Sequence, residues 1–184
     1  DARAAKKRLL AFTTAGCVLA ARLSEDPRNT VCLLEAGGED RHPFIHVPAT
    51  VAAAIARPSL NWRFMTVPQP ALDNRRIPLP RGRVIGGSGS INGMVYFRGQ
   101  ARDFDDWAAM GNPGWGYRDV LPYFIRSENN DSYADSPWHG RSGPIRVSHI
   151  ARPNPMIAAF LEAMLSLGFK RCEDFTGPDP EGYG

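Results

Sequence analysis

The chain has 184 residues, 43% of them apolar and 22% charged, with a net charge of +3. This composition excludes a wholly disordered chain, and the length suffices for one domain with a core. Basic and acidic residues are too evenly matched, at 22 and 19, for charge alone to argue for nucleic-acid binding.

Near the start, Lys6, Lys7 and Arg8 precede an uncharged stretch from Leu9 to Ala21. This is the outline of a secretory signal, and Thr14 to Cys17 approaches a lipoprotein cleavage site. The stretch is too short to cross a bilayer. A folded reading accounts for it better. Leu9 to Phe12 reads as a short buried strand, and Gly16 to Leu23 as a helix rich in good helix formers. Asp26-Pro27 stops that helix. Thr30 to Glu35 is a continuous apolar run ending in an acid, the pattern of a parallel strand buried on both faces. Strand, helix and strand within about thirty residues make a βαβ unit.

Seven prolines between Pro43 and Pro80 predict an extended, loop-rich stretch with a short helix at Thr50 to Ala56. Asp103 to Met110 reads as a helix capped by Asp103. Tyr117 to Asn129 reads as a second helix and Gly143 to Ser148 as a short strand. Pro155 to Leu167 carries Ile157, Phe160, Leu161, Met164 and Leu165 at helical spacing and stops at Gly168, the pattern of an amphipathic helix. No repeat or linker divides the chain. Cys17, Cys32 and Cys172 are odd in number and widely spaced, which gives no disulfide framework and fits a reducing compartment, with Cys17 and Cys32 expected as buried small apolar residues. The histidines lack ligand-like spacing, so no metal site is expected. A cytoplasmic location follows, with peripheral membrane association open and a secreted form processed near Cys17 as the alternative.

The glycines are concentrated. Five of the eighteen, Gly82, Gly86, Gly87, Gly89 and Gly93, fall within twelve residues, flanked by Arg81, Arg83 and Arg98. Glycines let a backbone approach a ligand and turn its N–H groups toward an anion, and arginines neutralise phosphates. Ser88 and Ser90 lack the strand–Ser–helix elbow of a nucleophile. The ordered string Gly82-Arg-Val-Ile-Gly-Gly-Ser-Gly-Ser-Ile-Asn92, followed by Tyr96, Gly99 and Asp105, resembles the first sequence motif of the glucose–methanol–choline (GMC) flavoprotein oxidoreductases. Asn61-Trp62, Asn74 to Arg76 and Trp138-His-Gly140 are similar to the choline and alcohol dehydrogenase branch. The resemblance runs from about residue 15 to Gly184, as one partial N-terminal domain.

The resemblance implies an α/β fold: a Rossmann-type FAD-binding domain, truncated, with loop-rich insertions from a substrate domain. It implies FAD contacts from Gly16, Arg83, Gly86, Gly87, Ser88, Asn92, Gly93, Met94 and Val95, with Asn92 to Met94 near the isoalloxazine ring. Glu35 would take the adenosine ribose hydroxyls. Its position 19 residues beyond Gly16, at a strand end, independently suits a dinucleotide site. Ile91 stands where some members attach FAD through a histidine, so non-covalent FAD is expected. The implied reaction takes a hydride from a small-molecule alcohol to flavin N5, with the alcohol and the electron acceptor open. No nucleic acid or transmembrane segment is expected.

Two departures bear on function. The family's Gly-x-Gly-x-x-Gly turn falls on Ala11, Thr13 and Gly16, so only the third glycine is present. A β-branched Thr13 should push the pyrophosphate away. Asp1 to Thr14 matches the family poorly, a break that suggests a frame shift or a misplaced start. The family's active-site histidine is expected downstream of Gly184, leaving no catalytic residue here. The alternative reading is a nucleotide-binding fragment without turnover.

Overall fold

The computed structural model describes residues 7–11, 13–133 and 135–184, with 7–11 and Thr13 described by backbone only. Asp1 to Lys6 and Phe12, part of the stretch that departs from the motif, lie outside the described residues. The chain divides into two compact units at the Val95–Tyr96 junction.

The first unit opens with strand β1 (Lys7–Ala11), helix α1 (Thr13–Ser24) and strand β2 (Asn29–Leu33). β1 and β2 pair in parallel, with Lys7 opposite Asn29 and Ala11 opposite Leu33. This is the expected βαβ unit. The helix begins three residues before Gly16, so Gly16 lies buried in its first turn. Asn29 Nδ2 closes the far end by donating to the Leu23 carbonyl at 2.9 Å. β2 departs from expectation in two ways. It ends at Leu33, and its burial alternates, with Cys32 exposed and Cys17 half-buried. A parallel strand is buried on both faces only when layers cover both and strands flank it. Among the described residues β2 pairs with β1 alone.

After β2 come helices α2 (Pro43–His46) and α3 (Val51–Ala56). The core of this unit is Ala54, Leu60, Val84 and Ile91, with Phe44, Ile45 and Ile55 packed against it. A long hairpin leaves this core, built on strands β3 (Phe64–Met65) and β4 (Pro78–Leu79), which pair antiparallel. Buried Asn61 pins its base. Its Nδ2 donates to the Ile55 carbonyl at 2.6 Å, and its Oδ1 accepts from the Arg63 and Arg81 N–H groups at 2.9 and 3.0 Å.

The second unit holds helices α4 (Ala101–Ala109) and α5 (Tyr117–Ser127), strands β5 (Glu128–Asn130) and β6 (Ile145–Val147), and helix α6 (Pro155–Ser166). Gln100, not Asp103, caps α4. Asp103 is the third helical residue and accepts from the Gln100 N–H at 2.8 Å, completing a capping box. α5 stops before Glu128 because residues 128–130 pair in parallel with β6. Phe104 of α4 is buried and meets the Trp107, Tyr117 and Phe124 rings. α6 begins at an Asn154 cap and is closed by Gly168 at φ +78°. None of its apolar residues is buried: Phe160 is 57% exposed and Leu165 62%. Periodicity assigns the apolar face of a helix but not the surface that covers it.

The centre of the second unit is polar. The Arg98 guanidinium and the Glu128 carboxylate, both buried, meet at 2.5 Å. Glu128 Oε1 also faces His139 Nδ1 at 2.9 Å and accepts from Asn130 Nδ2 at 2.8 Å, while Oε2 accepts from the Gly140 N–H at 3.1 Å. The other imidazole nitrogen of His139 lies 2.8 Å from Asp174 Oδ2. Burial pushes the Glu128 carboxyl up, but the hydrogen bonds from Asn130, His139 and Gly140 and the charge of Arg98 outweigh it and hold the group below the ordinary range. Asp174 follows the same pattern: burial raises it, and His139 and Thr176 bring it lower overall.

Removing one partner of a buried ion pair strands the other charge. Glu128→Ala should therefore cost about 3–5 kcal/mol in urea unfolding. Both carboxyls are depressed in the folded state, so their contribution is complete above the unfolded-state value near about 4 and fades as pH falls through the lower folded values. Unfolding midpoints measured from neutral to acid pH should drop over that interval in the wild type, and less in Glu128→Ala.

Candidate functional site

The glycine-rich segment meets the βαβ unit through its backbone. Gly38 bridges Val84 in parallel, and the Ile85 N–H donates to the Gly38 carbonyl at 2.9 Å. Gly37 packs so closely that a Cβ there would overlap the Arg83 carbonyl. The segment then turns at Gly86, whose φ of +86° disfavours a side chain, into a 3-10 turn at Gly87–Ser90. Thr14 of α1 locks this turn. Its hydroxyl donates to the Gly86 carbonyl at 2.5 Å and accepts from the Gly89 N–H at 3.0 Å. The start of α1, the loop after β2 and the glycine turn thus come together. These are the three parts of a dinucleotide cradle.

The expected cofactor residues fall into three groups. Gly16 and Glu35 belong to the βαβ unit. Glu35 is half-buried two residues beyond β2, with Oε1 accepting from the Gly37 N–H at 2.8 Å. Gly86, Gly87 and Ser88 form the turn, where Ser88 Oγ accepts from the Gly82 N–H at 3.1 Å and Ser90 Oγ donates to the Ile85 carbonyl at 2.7 Å. Both hydroxyls brace backbone. Asn92, Gly93, Met94 and Val95 follow as an open lip. Asn92 Oδ1 accepts from the Met94 N–H at 2.8 Å, holding Met94 in the left-handed region at φ +58°. Val95 is 82% exposed. A cavity of about 230 Å³ opens beside the lip, lined by Asp40, Phe44, His46, Ser90, Asn92 and Met94 among others. Arg83 stands apart: its guanidinium lies over the Trp62 ring, 5.0 Å from the centroid. Sequence reading missed Thr14. The available signal was a hydroxyl residue at the mouth of the helix, two positions before Gly16.

The residues present fit a dinucleotide. The mouth of α1, with buried Gly16 in its first turn, meets the glycine turn through Thr14, and Glu35 follows β2 by two residues, where an acidic residue suits the ribose of a dinucleotide. The side chains of Ala11 and Thr13 lie outside the described structure. No group of three or more His, Cys, Asp or Glu able to hold a metal occurs among the described residues. No described helix is long and apolar enough to cross a membrane.

A parallel βαβ unit closed by a glycine turn defines a Rossmann-type dinucleotide-binding fold. A family model described as GMC oxidoreductase matches residues 12–184, and the chain belongs to that family. The chain is 48% identical over 171 residues to an oxygen-dependent choline dehydrogenase of Rhizobium etli, and 50% identical over 171 residues to one of Sinorhizobium fredii. Each alignment covers 93% of this chain and 31% of the relative, so the chain spans about a third of their length. Among solved structures, pyridoxine 4-oxidase from Mesorbium loti superposes with a TM-score of 0.87 at 36% identity, over 96% of this chain and 35% of that one. An FAD-dependent oxidoreductase from Chaetomium thermophilum gives a TM-score of 0.74 at 34% identity, over 89% and 30%.

Gly37→Ala should shift the loop after β2 away from Val84. Overpacking of this kind costs about 1–3 kcal/mol, read as a lower midpoint in urea unfolding. Gly38→Ala, where a Cβ meets nothing within 4 Å, should cost less.

Proposed function

We propose that this chain is the cofactor-binding portion of an FAD-dependent oxidoreductase acting on the CH–OH group of a primary alcohol such as choline. The observation that carries this reading is the glycine turn locked by Thr14 against the βαβ unit, with Glu35 two residues beyond β2. The relatives described as choline dehydrogenases support the substrate class. FAD, when bound, supplies the hydride acceptor.

The chain's own residues bind and orient. The N-terminus of α1 would hold the pyrophosphate, its helix dipole favouring negative charge. Glu35 would accept from the adenosine ribose hydroxyls in competition with the Gly37 N–H it now accepts from. Gly86, Gly87 and Ser88 would pack against the cofactor, and Asn92, Gly93, Met94 and Val95 would line the isoalloxazine. Arg83 would contact the cofactor only once its guanidinium leaves the Trp62 ring. Buried Ile91 at the attachment position favours non-covalent FAD. None of the residues named here is assigned the role of proton acceptor; their part is to bind and orient. We place the protein in the cytoplasm. The electron acceptor is left open.

Ala11 and Thr13 weaken this site, because glycines at those places allow the close backbone approach to the pyrophosphate. Titration of FAD, followed by flavin fluorescence, should show weak binding that tightens at least about tenfold in Ala11→Gly/Thr13→Gly. Glu35→Ala in that background should weaken FAD by about 10–100-fold and leave FMN, which lacks the adenosine ribose, unchanged. Tight stoichiometric FAD binding by the unaltered chain, indifferent to Glu35→Ala, would refute the reading.

A further inference from the structure

His139 lies at the middle of the buried network of the second unit. Its side chain and that of Glu128 are fully buried, and that of Arg98 is nearly so. Burial already complete in this chain does not depend on what else covers it. Nδ1 stands 2.9 Å from Glu128 Oε1, and Nε2 stands 2.8 Å from Asp174 Oδ2. Both are hydrogen-bond distances, so each gap holds a proton. The carboxyls do not supply it. Burial raises Glu128 and Asp174, but the hydrogen bonds they accept hold both below the ordinary carboxylate range, and an ionised carboxylate only accepts.

A neutral imidazole has one N–H and one lone pair. In either tautomer one ring nitrogen would turn its lone pair onto a carboxylate oxygen. Asn130 does not relieve this at Nδ1. Its Nδ2 donates to the same oxygen, Glu128 Oε1, at 2.8 Å and lies farther from Nδ1, at 3.2 Å. Only the imidazolium donates to both acids. It also balances the charge: Arg98 and His139 oppose Glu128 and Asp174, whereas a neutral ring would leave the buried network with an anion in excess.

We propose that His139 is a protonation-controlled clasp: as an imidazolium it donates to Glu128 and Asp174 together and fastens the loop of residues 172–183 to β5, and loss of one proton releases that loop. The groups facing the ring are Glu128 and Asn130 of β5, Asp174 of the loop and the Tyr133 ring, which stacks on it at 4.9 Å and 27°, with Arg98 behind Glu128. The contact that opens is the one to Asp174. That carboxylate is 20% exposed and can exchange His139 for water, whereas fully buried Glu128 cannot. Asp174 also shapes its own loop, where its Oδ1 accepts from the Thr176 N–H at 2.9 Å and hydroxyl at 3.0 Å. The Tyr133 hydroxyl, which donates to the Glu173 carbonyl, is the neighbouring tie.

The test is nitrogen NMR of the full chain labelled on histidine, combined with amide hydrogen exchange. The His139 signals are assigned by their absence in His139→Gln. At neutral pH both ring nitrogens are expected to carry a proton. As pH rises, protection of residues 172–183, corrected for the intrinsic pH dependence of exchange, should fall over the same interval in which Nε2 loses its proton. Asp174→Asn removes one of the two anions, so one ring nitrogen should be unprotonated at neutral pH. Loop protection in that variant should fall by about tenfold or more, the factor of one lost hydrogen bond to a charged group. Circular dichroism checks that Asp174→Asn keeps its fold. Neither measurement requires bound flavin, so the outcome is independent of FAD binding. A single protonated ring nitrogen at neutral pH in the unaltered chain would overturn the proposal. So would loss of the Nε2 proton, or Asp174→Asn, without a change in loop protection.

Discussion

The first unit depends on one backbone contact, the pairing of the loop after β2 with the segment entering the glycine turn. Gly38 and Val84 bridge there, and the Ile85 N–H reaches the Gly38 carbonyl. The contact brings residues almost fifty positions apart into register. It requires a residue without a side chain at Gly37, because the Arg83 carbonyl occupies the space. Val84, fully buried beside it, anchors the small core of Ala54, Leu60 and Ile91. Once this bridge forms, Thr14 reaches Gly86 and Gly89, and the helix mouth and the turn share one cradle. The hydroxyl satisfies one carbonyl and one N–H of the turn.

The second unit is organised by the opposite kind of contact. Arg98, Glu128, His139 and Asp174 form a chain of charged and hydrogen-bonded groups where an apolar core is usual. Such a network is costly to desolvate, and it tolerates few alternative arrangements because each oxygen of Glu128 has assigned donors. It joins strand β5, the Trp138–Gly140 turn and the segment around Asp174, pieces with little apolar surface to hold them otherwise.

Several surfaces remain uncovered. β2 alternates in exposure, α6 buries none of its apolar residues, and the hairpin from Trp62 to Arg81 has no buried side chain. For β2 and α6 the hydrophobic pattern promised burial that the structure does not supply. The chain spans about a third of the length of its choline dehydrogenase relatives. Hydrophobic periodicity records which face of an element avoids water. It does not record whether the covering surface belongs to the same 184 residues.

Much of the fold and of the site was legible in the amino-acid order. The βαβ unit followed from the glycine-led helix between two apolar runs, and the family from the spacing of Gly82, Gly86, Gly87 and Asn92. Both are local signals, set by backbone freedom and by side-chain period. Other features were not legible. Asp103 was misread as the cap of α4 because a cap and a third helical residue have the same composition signature, and only the backbone angles at Gln100 separate them. Thr14 showed no role until the glycine turn, seventy residues on, came within reach of its hydroxyl. Glu128 shows no sign of burial in the sequence, and the burial of Glu128 and His139 depends on contacts across β5, the turn and Asp174. The sequence by itself determined the α/β class and the family, because these rest on short-range pattern. Tertiary structure alone decided which hydroxyl locks the turn, which charges are buried and which apolar faces stay open, because each depends on what distant segments bring to the same place.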